Sequence, residues 1–441
     1  MRRASCVGYL LPLVLAMFGN ANRVVAEDWP QWMGKQRDNI WREEQVLEKF
    51  PEGGPKICFQ TAIGGGYAGP AVAGSWLVVT DFVAEDNVKV DNFNRASFPG
   101  TERVHGLDVA TGKVVWTHSD RVDYTISYPA GPRCTPLIEE DRVYTLGAEG
   151  LLLCLNLADG TERWRKNLPE VYNTKTPLWG YAAHPLIDGP RLICVVGGDG
   201  TQTVALDKMT GQEIWRQGTA NEPGYSPPTL IEHGGVRQLI LANPQAVHSV
   251  DPETGAVYWT QDYEATNGSI IMSPVQVGDY LFVGGYSNHN LLLQLNQSKP
   301  EATLVSRDVA KKFLSPVNVQ PFVQGNVVIG MDQGGDLMAF EVPSGRRLWQ
   351  TPELLGKRSE GSETAFLVRH RDRCFIFTEQ GEIVIAKVSS EGLEILDRAK
   401  VLEPTNNAFG RQVVWCAPAF ANRKMYVRND QQLICLDLSA P

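Results

Sequence analysis

Apolar and polar residues alternate in short runs along most of the chain, with a period of two where a helix would show 3.6. The stretch CTPLIEEDRVYTLG (134–147) predicts two short strands around a turn, LLLCLNL (151–157) a third, and ERWRKNL (162–168) a fourth. Gly, Pro, Asn and Asp punctuate the runs. One phrase recurs: LDVATGKVVW (107–116), LNLADGTERW (155–164), LDKMTGQEIW (206–215) and SVDPETGAVYW (249–259). Its tryptophan stands at 116, 164, 215, 259 and 349, with spacings of 48, 51, 44 and 90, the last being two periods of 45. That double gap predicts an eroded copy at SKPEATLV (298–305), and a further one follows at SSEGLEIL (389–396).

A repeat of this length with four strands cannot bury both faces of its sheet alone, so each unit must cover its neighbour. The predicted fold class is all-β: an eight-bladed β-propeller of four-stranded antiparallel blades. Blades are expected to start near Pro70, Pro136, Pro185, Pro228, Pro274, Pro321, Phe366 and Pro418, with 56–441 forming the ring. The last unit stops after three strands. KICFQTAI (56–63) fits its missing outer strand, with Phe59 in the tryptophan position, and this closure removes an open sheet edge.

The Gly-x-x-x-Trp hairpin resembles the tryptophan-docking motif of the pyrroloquinoline-quinone (PQQ)-like β-propeller superfamily, over residues 56–439. DWPQWMGKQRDNIW (28–41) is similar to the W-P-x-W leader that precedes such propellers in exported bacterial proteins. The resemblance implies one of two functions, because the superfamily includes quinoprotein dehydrogenases and also a non-enzymatic assembly lipoprotein that binds other proteins. Fold alone does not choose between them.

Composition narrows the field. With 441 residues, 43% hydrophobic and 21% charged, the chain can build a large core. A net charge of -9 and the lack of a basic run exclude a nucleic-acid surface. Arg2 and Arg3, the apolar run 7–18, and the small-residue site Val24 to Ala26 read as a signal peptide over 1–26. Residues 27–55 then form a leader segment. No later stretch is apolar enough to be a transmembrane helix, so a periplasmic or secreted monomer is expected. Seven cysteines remain after Cys6, an odd number with no CxxC, which suggests buried thiols more than a disulfide framework. Cys58 and Cys435 are expected to meet in the closing blade, and their pairing is left open.

In a four-stranded blade the loops leading into the inner strands share one face with the loops between strands two and three. Those inlet loops carry Tyr67, Tyr128, Arg133, Trp179, Tyr181, His184, Tyr225, Asn267, Glu363, Arg411 and Trp415, the candidate binding residues. Aromatic groups interleaved with a few polar ones line many ligand sites, and they also simply fill wide channels. A long segment, 83–106, is expected to form an extended loop on the same face. GGGYAGP (64–70) mimics a dinucleotide fingerprint but leads into a strand, so no helix terminus awaits a pyrophosphate. GGDG (197–200) and DQGGD (332–336) look calcium-like but fall at turns that require Gly and Asp.

Two functions follow. One is a binding or scaffold module that holds an envelope protein, peptide or glycan. The other is an alcohol or sugar dehydrogenase using PQQ and calcium. The superfamily's alcohol-oxidising branch uses a vicinal disulfide, and this chain has no adjacent cysteines.

Overall fold

A computed structural model describes residue 1 and residues 27–86, 93–307, 312–356 and 361–441. The signal-peptide reading therefore lies outside the described residues. Eight four-stranded antiparallel sheets make up the ring. Blades 1 to 7 span 71–124, 137–167, 186–217, 229–262, 275–307, 322–351 and 365–400. Blade 8 takes three strands from 419–437, and its outermost strand is Ile57–Ala62, paired antiparallel to Gln432–Asp437. Helical structure among the described residues is limited to Leu168–Tyr172 and two short 3-10 turns. In every blade but the seventh, the inner strand begins on the residue after a proline, whose fixed φ starts an extended run without needing a ladder donor.

The repeated phrase works as a joint between blades. The outer strand pair of each blade carries a β-bulge, and in five blades the residue after the bulge is a tryptophan: Trp116, Trp164, Trp215, Trp259 or Trp349. The bulge turns that indole sideways onto the glycine turn of the next blade. A Cβ on Gly160 would sit 2.4 Å from Trp116 Cε3, and one on Gly211 would sit 2.9 Å from Trp164 Cε3. These glycines also hold φ values of +72° and +70°, so an L side chain there is excluded twice over. The Nε1 of Trp116 donates to the Leu157 carbonyl at 2.9 Å and that of Trp164 to the Lys208 carbonyl at 3.1 Å, each on the following blade. In the closing strand the same slot holds Phe59, whose ring would lie 2.2 Å from a Cβ on Gly112.

The two eroded copies are sealed from outside the repeat. In blade 5 the slot holds Ser306, and the glycine of the next turn, Gly345, is covered by the Lys312 stem and the Phe313 ring. In blade 7 it holds Asp397, whose carboxylate accepts the Phe50 backbone N–H at 2.7 Å. Phe50 belongs to a leader that crosses the channel as a floor. Trp29 pairs with Val72 of blade 1, Pro30 accepts from Ile138 of blade 2, and Asn39 and Trp41 bond to Arg369 of blade 7. Trp41 is fully buried against Phe375 and Phe420, its indole N–H satisfied by Glu43.

Candidate binding site

The inlet loops meet over the channel and, with the leader floor, enclose a cup of about 310 Å³. Its wall is aromatic. Tyr128 stacks on Trp415 with ring centroids 6.0 Å apart, and Trp179 leans on Tyr225 at 5.1 Å. On the floor His184 stacks on Trp32 at 4.6 Å. Tyr67 lies under the Arg133 guanidinium at 5.1 Å. Asn267 reaches the rim from a short 3-10 turn, held in left-handed backbone at φ 53°.

Eight of the sequence-derived candidates thus face one space: Tyr67, Tyr128, Arg133, Trp179, His184, Tyr225, Asn267 and Trp415. Tyr181, Glu363 and Arg411 do not line it. Tyr181 turns into the core between blades 2 and 3, where its hydroxyl donates to the Val196 carbonyl at 3.2 Å. Glu363 is buried below the wall, and its neighbour Ser362 faces the cup instead. Arg411 forms a buried bidentate pair with Glu379, at 2.7 and 3.0 Å. The same carboxylate accepts the Trp415 indole N–H at 3.0 Å and the Thr364 backbone N–H at 3.0 Å. Arg411 and Glu379 therefore aim Trp415 rather than contact a ligand.

Sequence reasoning did not single out Phe93, Phe409 or Trp32. The first two close the rim, Phe93 lying 5.6 Å from Phe409 and 6.5 Å from Tyr128. The 83–106 segment is mostly ladder: strands Trp76–Ala84 and Phe98–Asp108 extend one long hairpin, and the connection is 85–97. After residues 87–92, which lie outside the described set, Arg95 ties the returning chain to the Thr125 and Thr176 carbonyls at 3.0 and 2.8 Å. This brings Phe93 over the mouth.

Among the described residues lining the cup, Arg133 is the single formal charge. Its donors go to the carbonyls of Trp179, Gly131, Ser127 and Tyr128, which fix the guanidinium within the loop. Burial, reinforced by the nearby Arg37 charge, pushes the His184 pKa down to about 3 and keeps the imidazole neutral. Burial raises Tyr128 to about 12 and lifts Tyr67 and Tyr225 as well, so these phenols stay protonated. Trp179 Nε1 is buried and has no hydrogen-bond acceptor among the described residues. The described lining is aromatic, with one cation, Arg133, and no carboxylate.

PQQ, which carries three carboxylates, does not fit this donor set. Among the described residues the lining offers one cation, Arg133, already hydrogen-bonded to backbone carbonyls, and no cluster of three or more His, Cys, Asp or Glu could hold a metal ion. No two cysteines are adjacent in the sequence.

Tryptophan-docked, four-stranded blades in a closed ring of eight define a PQQ-like β-propeller. Residues 100–239 and 243–440 match the family described as outer membrane protein assembly factor BamB, and the chain belongs to that family. BamB of Xanthomonas campestris is 26% identical over 212 residues, 47% of this chain and 48% of the relative. BamB of Yersinia pestis is 22% identical over 273 residues, 60% of this chain and 66% of the relative. The chain thus spans about half to two thirds of the length of these curated relatives. Among solved structures, a europium-containing methanol dehydrogenase aligns at a TM-score of 0.60 and 11% identity, covering 91% of this chain and 89% of that one. BamB of Moraxella catarrhalis aligns at 0.50 and 18% identity, covering 81% of this chain and 97% of that one. At these identities the structures show a shared fold. No helix among the described residues is long and apolar enough to cross a membrane.

Proposed function

We propose that this protein is a non-enzymatic binding module of the bacterial envelope, exported to the periplasm, which holds an uncharged, apolar segment of a partner protein in the aromatic cup. The carrying observation is the chemistry of the wall: stacked rings around a space whose described lining holds no carboxylate and one cation, Arg133, braced by backbone carbonyls. Desolvated aromatic pockets are where binding energy concentrates. Membership of the BamB family, whose named members are outer membrane assembly factors, supports a protein partner. The dehydrogenase reading requires a bound tricarboxylate and a hard cation, and the described lining offers a single cation to the first and no carboxylate to the second.

Site-specific photocrosslinking in the periplasm tests this. A photoreactive residue replacing Tyr128 or Phe409 at the mouth is expected to capture a discrete envelope protein, whereas one replacing Thr254 or Ser344 at the glycine turns is not. Equal capture from both faces, or adducts with glycan alone from the mouth, would overturn the proposal.

A further inference from the structure

The seam of the ring holds two cysteines that the binding role does not use. Cys58 lies on the closing strand Ile57–Ala62 and Cys435 on the third strand of blade 8, Gln432–Asp437. These strands are hydrogen-bonded neighbours, with Phe59 opposite Cys435 and Ile57 opposite Leu436. The closing strand has one residue too many over this interval, and that bulged residue is Cys58. Elsewhere in the ring the bulge holds residues such as Val115, Arg163 and Ile214, which have no chemistry to perform. Here it places a thiol beside the partner strand's Cys435, because Cys58 and Phe59 together oppose that one residue.

We propose that Cys58 and Cys435 form a disulfide that joins the N-terminal strand covalently to the C-terminal blade. Access sets the order of events. Cys58 is the exposed thiol among the described cysteines, and Cys435 is buried with the other five. Burial and the adjacent Cys58 also hold the Cys435 thiol above its ordinary pKa, which makes it the slower nucleophile. The Cys58 thiolate attacks a small-molecule or protein disulfide oxidant, forming a mixed disulfide and expelling one oxidant thiolate. The Cys435 thiolate then attacks the Cys58 sulfur and expels the second. Two protein thiols are oxidised, the oxidant disulfide is reduced to two thiols, and the two cysteine protons pass to the oxidant's thiolates. The bond would span the ring's one non-covalent closure, where an edge strand is otherwise held by a single neighbour.

The test uses the full protein, purified under reduction, incubated with glutathione disulfide, denatured, alkylated and weighed. The expected product is lighter by two hydrogens, lacks alkylation at both positions, and gives a linked peptide joining the segments around 58 and 435. Its urea midpoint is expected to exceed that of the reduced protein. Cys58→Ser should abolish both changes, and Cys435→Ser should instead trap glutathione on Cys58. Because Cys58→Ser alters an exposed position, it keeps the test decisive if the buried substitution fails to fold. Recovery of both cysteines alkylated after oxidation, or a stable glutathione adduct on Cys58 in the parent protein, would overturn the proposal.

Discussion

Replacing His184 with phenylalanine isolates the electrostatics of the cup floor. Its imidazole stacks on Trp32, lies near the Arg37 charge, and is held neutral with a pKa of about 3 against an ordinary 6.5. The folded state therefore refuses a proton that the unfolded chain accepts below pH 6.5, so acidification favours unfolding. The penalty begins near pH 6.5 and saturates near pH 3. From these two values it reaches about 2 kcal/mol at pH 5 and about 5 kcal/mol once both states are protonated. These are upper figures, because the ring edge meets water in the cup. Phenylalanine preserves the stack and removes the titration. Urea unfolding followed by tryptophan fluorescence at pH 7.5 and pH 5 is expected to show the parent losing about 2 kcal/mol more than His184→Phe. Equal losses in the two proteins would refute the neutral buried imidazole.

Other outcomes follow from the joints and the wall. Gly160→Ala should cost about 3 kcal/mol, because its Cβ meets the Trp116 ring at 2.4 Å in left-handed backbone, whereas Gly410→Ala, also at positive φ but with open space around it, should cost about 1 kcal/mol in the same unfolding assay. Glu379→Gln leaves the buried Arg411 guanidinium uncompensated, so stability should fall by about 3 kcal/mol, and partner capture should weaken with a changed Trp415 emission. Calorimetric titration with PQQ and Ca²⁺ should give no saturable heat; tight stoichiometric binding would reinstate the dehydrogenase reading.

The ring was legible because its joint is written with one rare residue type at a fixed offset from a glycine. Even the lost copies could be located to within a few residues: a period of 45 from Trp259 and Trp349 lands at 304 and 394, and the slots are held by Ser306 and Asp397. What fills those gaps was not legible: Phe313 and Phe50 come from segments outside the repeat, whose path depends on tertiary packing. The cup was half-legible for a similar reason. Inlet loops announce their aromatic residues but carry no periodicity to say which way a side chain points. Tyr181 follows Gly180, at φ 70°, and swings into the core between blades. Arg411, which has a carboxylate within reach from blade 7, becomes a brace. Trp32, Phe93 and Phe409 reach the cup from the leader, the long hairpin connection and a small extra hairpin, Asn406–Ala408 with Arg411–Val413, none of which belongs to a blade.

The central claim, that the aromatic cup holds the partner, is tested most directly by hydrogen exchange on the crosslinked complex against the free protein. Slowed exchange is predicted at the inlet loops, in segments 127–134, 179–184, 266–271 and 409–415, with none at the glycine turns 110–113 and 158–161. Protection confined to the glycine turns or the outer strands would contradict it.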